Sequence, residues 1–393
     1  MKEVYFDHNA TTPLHPEVKK VMLEKMDYYG NPSSMHFAGR RAAALIDNAR
    51  QSVAKLINSS TDELIFTGGG SESNNTVLKL VTCGGSSCPG CSASRSEIIT
   101  TKIEHPSVIN TCEALEQQGL TVRYLNVDAK GKIDLDEYEK FISDKTALVS
   151  VMMANNEIGT VQDIKAVAEI AHRRGVLVHT DAVQAVGKIP VDVKELGVDF
   201  LSFSGHKINA PKGIGGLYVK RHAPYCTLIH GGHQEEGRRA GTLNTLGIIA
   251  MGTAADIAMR EGAEEAKRLA SIRDYIREGI EKRIGDIHVN GHPNDILPGT
   301  LNVSFSGAEG ESILLYLDME GIAVSTGSAC ASGSLDPSHV LLATGVGPEL
   351  AHGSIRISLG LGSSVEEADY FLEKLPPVIE RIRKMSTLYT KAG

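Results

Sequence analysis

The segment DIKAVAEIAHRRGVLVHTDAVQ, residues 163–184, indicates the class of fold. Asp163 is a favoured N-cap residue for a helix that continues to Arg174, and Gly175 is a favoured residue just past a helix end. The apolar run at 176–179 then predicts a strand, and polar residues follow it directly. A helix that leads into a buried strand is the repeating unit of an α/β protein.

The same alternation extends on both sides of this segment, from about residue 15 to 255. A helical spacing of apolar residues covers 42–58. Further short apolar runs predict strands at 63–67, 98–101, 122–125, 148–152 and 200–203. Strands separated by helices predict a mostly parallel sheet, and ligands of such sheets bind at the carboxyl ends of the strands.

The pattern changes after about residue 255. A long charged amphipathic helix carries apolar residues between Leu269 and Ile284, and strands are predicted at 301–305 and 355–359. A final helix over 365–385 is predicted to be interrupted at its two adjacent prolines.

Two domains are expected because 393 residues exceed the usual size of one compact unit. We predict a large domain over residues 15–255. A smaller α+β domain is predicted to comprise residues 1–14 and 256–393.

The overall charge is negative, with a net value of −8 and 22% charged residues. This balance disfavours nucleic-acid binding, which needs a basic surface. The longest apolar stretches, such as 147–154, are far shorter than the roughly 20 residues that span a bilayer. Because no basic and then apolar signal segment opens the chain, we expect no membrane association and a cytoplasmic location.

A glycine-rich turn follows the strand predicted at 63–67. It consists of Gly68, Gly69 and Gly70, then Ser71, at the start of a probable helix. Glycines let the backbone approach a ligand, and the free amides of a helix start favour an anion. A phosphate site and a plain strand-to-helix turn are equally compatible with this pattern.

A carboxylate and a lysine follow two of the predicted strands. Asp181 comes after the strand at 176–179, where it could pair with the protonated ring nitrogen of pyridoxal phosphate (PLP) or cap a turn. Lys207, in Ser204-Gly205-His206-Lys207, has the setting of a lysine that bonds a cofactor aldehyde. The nearest rival is Lys212, whose proline and glycine neighbours indicate a turn.

Two residues of the second half could act on a substrate. Cys330 lies among small polar residues and glycines, in Ser328-Ala329-Cys330-Ala331-Ser332, a setting more typical of a reactive thiol than of a structural one. Arg356 projects from a predicted strand. It could bind a substrate carboxylate through two hydrogen bonds, or it could be an ordinary exposed arginine.

A separate group of cysteines lies at positions 83, 88 and 91. Three thiolates could hold a metal, with His105 or Cys112 as the fourth ligand. A reduced surface loop is the favoured alternative, because no fourth ligand follows at the spacing of a zinc finger.

Nine segments in fixed order resemble the cysteine desulfurase family of fold-type-I PLP enzymes, over nearly the whole chain. They are residues 5–13, 30–36, 103–105, 155–159, 179–184, 202–213, 239–242, 325–341 and 351–359. The resemblance implies a large domain with a mostly parallel seven-stranded sheet. The cysteines at 83–91 are not part of the family pattern.

The resemblance also implies roles around the cofactor. Lys207 would hold PLP as an internal aldimine, and Asp181 would pair with the pyridine nitrogen. His105 would stack over the ring and move protons. Asn156 and Gln184 would bond the ring oxygen.

Further roles concern the phosphate and the substrate. Arg356, helped by Asn156, would bind the carboxylate of free cysteine. Thr242 would reach the phosphate from the second subunit of a homodimer. The phosphate ligands within the chain would be Gly70, Ser71, Ser204 and His206.

The implied reaction takes sulfur from free cysteine. The Cys330 thiolate would attack the substrate sulfur, alanine would leave, and a persulfide would remain on Cys330. The sequence at 328–338 resembles the long-loop branch of the family, which serves an iron–sulfur scaffold protein. There, Cys330 would also ligate a nascent iron–sulfur cluster transiently.

Alternative functions remain open at this stage. The same scaffold would suit a selenocysteine lyase, whereas another PLP enzyme such as an aminotransferase would have little use for Cys330. A non-catalytic scaffold-binding subunit is disfavoured by the intact set of Lys207, Asp181, His105, Arg356 and Cys330.

Overall fold

The computed structural model of the protein describes residues 2–82, 95–326, 336–386 and Tyr389. Its strands are β1 (Val4–Tyr5), β2 (Leu64–Thr67), β3 (Glu97–Thr101), β4 (Thr121–Leu125), β5 (Thr146–Ser150), β6 (Leu177–Asp181), β7 (Phe200–Ser204), β8 (Gly215–Val219), β9 (Ile287–Asn290), β10 (Thr300–Phe305), β11 (Ile322–Ala323) and β12 (Ser354–Ser358). Its helices are α1 (Pro16–Lys25), α2 (Phe37–Leu56), α3 (Gly70–Leu78), α4 (Pro106–Glu116), α5 (Leu135–Phe141), α6 (Ile164–Arg173), α7 (Val193–Leu196), α8 (Thr245–Arg283), α9 (Gly310–Met319), α10 (His339–Ala343), α11 (Pro348–His352) and α12 (Val365–Met385). Short 3-10 turns lie at Thr61–Glu63, Lys79–Thr82, Gly205–Lys207 and Gln234–Gly237.

The main sheet has seven strands in the order β2-β8-β7-β6-β5-β3-β4. Its strands run parallel except β8, which is antiparallel to both β7 and β2. Apolar side chains of α2, α6 and α8, such as Ile46, Val167 and Ile248, pack in one core. A second core contains Val77 of α3 and Val108 of α4. The predicted α/β class with a mostly parallel seven-stranded sheet is confirmed.

The unit formed by α6 and β6 begins at the predicted cap, but β6 extends to Asp181, two residues beyond the predicted strand at 176–179. The side chain of Asp163 accepts a hydrogen bond from the amide of Ala166 at 3.0 Å and so caps α6. Gly175 ends the turn with a φ of 64°, a conformation that costs glycine little. The strand that follows carries Asp181 as its last residue, at the carboxyl edge of the sheet.

A smaller antiparallel sheet lies in the second half of the chain, with strand order β12-β10-β9. Its apolar core includes Ile276, Val303 and Phe371, and Val4 and Phe6 of the N-terminal segment join it. Helix α8 runs without a break through the boundary predicted at residue 255. The division into two domains at that position stays a prediction.

The final helix differs from the sequence-based expectation. Helix α12 is continuous from Val365 to Met385 and contains Pro376 and Pro377 in its interior, so the predicted interruption is wrong. Proline removes backbone hydrogen bonds, but burial of Leu375 and Ile379 on one face of the helix holds the two halves together. In the described part of the chain, no helix is both long and apolar enough to cross a membrane.

Candidate active site

A cavity of about 260 Å³ lies at the carboxyl edge of the parallel strands. It is lined by ten of the residues singled out in the sequence: Gly70, Ser71, His105, Asn156, Asp181, Gln184, Ser204, His206, Lys207 and Arg356. Nine of them meet because the strands β2, β3, β5, β6 and β7 end at the same edge, whereas Arg356 reaches the cavity from β12 of the smaller sheet.

Lys207 closes the 3-10 turn that follows β7. Its Nζ donates hydrogen bonds to the backbone carbonyls of Asn9 at 2.5 Å and Ala10 at 2.7 Å. The N-terminal segment therefore crosses directly over the lysine. Lys212 is exposed and does not line this cavity.

Asp181 is a buried carboxylate, with 4% of its surface exposed. Its Oδ2 accepts a hydrogen bond from Asn74 Nδ2 at 2.6 Å, and its Oδ1 accepts one from the amide of Val183 at 2.9 Å. The two donors fix the direction of the carboxylate. The sequence analysis missed Asn74, although it lies one helical turn after Gly70 on α3, within a segment that was already of interest.

His105 is the N-cap of α4 and faces the cavity. Its Nδ1 accepts the backbone N–H of Ser107 at 3.1 Å, so Nε2 is the nitrogen that carries hydrogen in the neutral ring. Burial lowers the pKa of His105, and the charges of Lys207 and His339 lower it further, against the opposing effect of Asp181. The ring is therefore neutral near pH 7.

The start of α3 forms another wall of the cavity. A Cβ atom at Gly70 would lie 2.5 Å from Val183 Cγ2, so only glycine fits here without a shift of Val183. The free amides of a first helical turn favour an anion. Burial and the neighbouring Lys207 lower the pKa of His206 to about 4. This ring is thus a neutral hydrogen-bonding group.

Arg356 lies on β12 and is only 2% exposed, so the alternative of an ordinary exposed arginine is wrong. Its guanidinium donates to Asp7 Oδ1 at 2.7 Å and to the carbonyl of Asn156 at 3.1 Å. Its buried Nε has no hydrogen-bond partner among the described residues. An orphaned buried donor is costly, and a carboxylate ligand would satisfy it.

The donor set of the cavity fits PLP. An amine at Lys207 could bond the aldehyde carbon, and the carboxylate of Asp181 could pair with the pyridine nitrogen. The Gln184 amide could reach the ring oxygen. The first turn of α3 suits the phosphate.

Comparison with known proteins identifies the family. The sequence profile of the family Aminotransferase class-V matches residues 4–371. The cysteine desulfurase IscS of Dictyoglomus turgidum is 48% identical over 98% of this chain and 96% of its own length. The chain belongs to the cysteine desulfurase family. The resemblance noted in the sequence is therefore confirmed, and membership implies PLP as the cofactor.

Solved structures agree with this family assignment. A NifS-like protein superposes with a TM-score of 0.90 at 39% identity, covering 97% of this chain and 100% of its own. SspA in complex with cysteine superposes with a TM-score of 0.80 at 34% identity, covering 91% of this chain and 98% of its own.

One predicted site residue of this cysteine desulfurase family member lies apart from the cavity, and another is not among the described residues. Thr242 is exposed and does not line it. Cys330 falls in the segment 327–335, outside the described residues, as do the cysteines at 83, 88 and 91. Cys112 is a fully buried thiol whose pKa burial raises to about 12, a poor setting for a metal ligand.

The described residues on both sides of segment 327–335 contact the active site. The backbone amide of Ser325 donates to the carbonyl of Arg356 at 3.2 Å. On the other side, Ser338 Oγ donates to Glu157 Oε2 at 2.5 Å, next to Asn156 in the sequence. Ser325 and Ser338 thus each bond a residue that lines the cavity or that adjoins such a residue in the sequence.

Proposed function

We propose that this chain is a PLP-dependent cysteine desulfurase that converts L-cysteine to L-alanine and leaves a persulfide on Cys330. One observation carries the proposal: Lys207 and Arg356 line the same cavity. The cavity therefore offers an amine for the cofactor aldehyde and a buried cation for the carboxylate of an amino acid.

Lys207, Asp181 and Gln184 would hold the cofactor ring. Its phosphate would lie against Gly70, Ser71, Ser204 and His206. When bound, PLP supplies an electron sink that makes the α-proton of an amino acid removable. Asn74 keeps the Asp181 carboxylate directed at the ring, because it donates to Oδ2 at 2.6 Å.

Arg356 would bind the α-carboxylate of cysteine through its Nε, the buried donor without a protein partner among the described residues. Asp7 and the carbonyl of Asn156 hold the rest of the guanidinium in place. Asn156 would also contact the substrate. These contacts of Arg356 and Asn156 would hold the substrate in position before any covalent bond forms or breaks.

Lys207 and His105 would each carry out a proton transfer of the reaction. Lys207 would hold the cofactor, and its Nζ, when not bonded to the cofactor, would serve as the base for the α-proton of the substrate. The neutral ring of His105 carries a hydrogen on Nε2 that it can give to a group in the cavity, and it can recover that proton from the medium.

Cys330 would receive the sulfur. The thiolate attacks the substrate sulfur, the carbon–sulfur bond of cysteine breaks with its electrons going to carbon, and that carbon takes a proton to become the methyl group of alanine. The persulfide on Cys330 keeps the sulfur. Support comes from the described residues that flank segment 327–335, because Ser325 bonds the carbonyl of Arg356 and Ser338 bonds Glu157, the neighbour of Asn156.

We further propose that the sulfur passes to an iron–sulfur scaffold protein in the cytoplasm. The form of residues 328–338, which resembles the long-loop branch of the family, supports this acceptor. On the scaffold, Cys330 would serve as a transient ligand to the growing iron–sulfur cluster.

An anaerobic assay tests the proposed reaction. The purified protein is loaded with PLP and incubated with cysteine, alanine is quantified, and persulfide is trapped by alkylation and located by mass spectrometry. We expect alanine and persulfide sulfur in equal amounts in a single turnover, with the label on Cys330. Bound PLP with no alanine from cysteine would contradict the proposal, and selenocysteine would then be the next substrate.

A substitution at Arg356 should separate carboxylate binding from cofactor binding. We expect Arg356→Lys to raise KM for cysteine by roughly 10- to 100-fold, since a hydrogen bond to a charged group contributes about 1.5–3 kcal/mol. Binding of cysteamine, which lacks the carboxylate, should be unchanged. Equal weakening of cysteine and cysteamine would show that Arg356 does not bind the carboxylate.

We also propose a homodimer in which Thr242 reaches the phosphate of the partner site. Apolar side chains in the segment before α2 and at its first residue support this assembly, because Tyr29, Met35 and Phe37 are 88%, 90% and 64% exposed. Sedimentation should give about twice the 42.1 kDa mass of one chain.

A charge placed in this apolar region tests the interface. We expect Met35→Glu to shift the protein toward the monomer and to weaken PLP binding, since each site would lose the partner's threonine. Thr242→Val should weaken PLP binding but leave the dimer intact. A wild-type protein that sediments as one chain would refute the assembly.

A further inference from the structure

Lys188 is a second lysine beside the active site, and neither the cofactor roles nor the proposed reaction uses it. It lines a separate cavity of about 420 Å³, which shares Asn9 and Lys207 with the cofactor cavity. Lys188 thus lies behind the residues that would contact PLP.

Lys188 donates hydrogen bonds to two side-chain amides. Its Nζ lies 2.6 Å from Gln184 Oε1 and 3.0 Å from Asn9 Oδ1. The orientation of the Asn9 amide is unambiguous, because its Nδ2 donates to the carbonyl of Asn156 at 3.2 Å and a carbonyl can only accept. Lys188 therefore contacts two acceptor oxygens.

The contacts with Lys188 and with the carbonyl of Asn9 together determine which end of the Gln184 amide faces the cofactor cavity. With Oε1 directed to Lys188, Nε2 is directed to the carbonyl of Asn9, to which it donates at 2.9 Å. An amide nitrogen carries two hydrogens, and this bond uses one of them. The amide of Gln184 thus presents N–H groups on the side of Asn9, Lys207 and the cavity.

Both hydrogen bonds persist whatever the charge of Lys188. Burial, and then the positive charges of Lys207 and Arg356, lower the pKa of Lys188 well below its usual range. Besides burial, the charge of Lys188 contributes to the lowered pKa of His8 and of His206. A neutral amine still carries two hydrogens, one for each acceptor oxygen.

We propose that Lys188 is a positioning residue for the cofactor: it holds the Gln184 amide so that an N–H, rather than the carbonyl oxygen, faces the ring oxygen of PLP. The inference rests on the proposed function, since it assumes PLP in this cavity. A donor on the ring oxygen withdraws electron density that would otherwise stabilise the proton on the nitrogen linking Lys207 to the cofactor. That proton is therefore lost at lower pH.

The test follows the visible absorbance of the PLP-loaded protein as a function of pH, together with the Kd for PLP. We expect Lys188→Met to raise the midpoint of the absorbance change by about one pH unit and to weaken PLP binding by about tenfold. Lys165→Met is the matched control, because Lys165 is exposed on α6 and lines neither of the two cavities. The control should leave both values unchanged.

A double-mutant cycle shows whether Lys188 acts through Gln184. In the Gln184→Leu protein, adding Lys188→Met should shift the midpoint no further. An equal shift in both backgrounds would overturn the proposal, because it would indicate a direct effect of the lysine charge. If the methionine variant does not fold, Lys188→Ala is expected to give the same upward shift, and an unchanged midpoint overturns the proposal.

These outcomes are separate from failure of the proposed function. A wild-type protein that cannot be loaded with PLP would refute the function itself. A wild-type protein that binds PLP and forms alanine, with a Lys188→Met variant of unchanged midpoint and Kd, would refute only the role of Lys188.

Discussion

Lys207→Ala is expected to abolish turnover of cysteine, with a loss of roughly 10³-fold or more. Lys207 has two tasks that no neighbour can take over, since it bonds the cofactor and provides the basic amine at the α-carbon. Lys188, the other lysine near the cavity, is engaged with Gln184 and Asn9 on the far side. Residual activity should therefore be close to that of free PLP.

The covalent link gives a second measurement that does not depend on activity. Borohydride should fix PLP to the wild-type protein, and mass spectrometry should locate it on Lys207. Lys212→Ala is the matched control, since Lys212 is exposed five positions further along the chain and does not line the cavity. The control should keep its colour and turnover. PLP fixed to a different lysine in the wild-type protein would contradict the assignment.

The parallel strands could be predicted from the sequence because each contains a short stretch rich in apolar and β-branched residues. Strand β8 could not. Its sequence begins with Gly215 and Gly216, and glycine is depleted in strands. The structure gives the reason for both glycines: a Cβ at Gly216 would lie 2.3 Å from the Phe203 ring, and one at Gly215 would lie 2.6 Å from Gly69 Cα. Glycine is required at these two positions because the fold brings Phe203 and Gly69 so close to them.

The candidate site also contains some residues that could be predicted from the sequence and others that could not. The residues at the ends of strands, such as Asp181 and Lys207, could be predicted because a parallel sheet brings its carboxyl ends together. Asp7, Asn74 and Lys188 could not. Asp7 and Asn74 act on residues far away in the sequence, Lys188 acts on Gln184 one helical turn before it and on the distant Asn9, and nothing in the local pattern distinguishes any of the three from a surface polar residue.

These missed residues share one physical role. Asp7 holds Arg356, Asn74 holds Asp181, and the hydrogen bonds involved are 2.7 and 2.6 Å long. Charged groups in a buried cavity need partners that fix their direction, because an unpaired buried charge is costly. Residues that contact the ligand are therefore supported by a layer that only the three-dimensional structure reveals.

Cys330→Ala is expected to stop sulfur transfer without stopping substrate binding. The variant should keep the spectral change that cysteine causes in the PLP-loaded protein, because Arg356 and Lys207 are intact. Alanine formation should fall by roughly 10³-fold or more, since the attacking thiolate is gone. Rapid-mixing absorbance measures the first effect, and alanine analysis measures the second.

Cys112→Ala provides the matched control, because it also removes one thiol from the chain. Burial raises the pKa of Cys112 to about 12, so this thiol is protonated and unreactive near pH 7. Alanine formation and persulfide on Cys330 should both survive in this variant. If Cys330→Ala instead formed alanine at the wild-type rate, a nucleophile other than Cys330 would accept the sulfur from the substrate, and the assigned role of Cys330 would be contradicted.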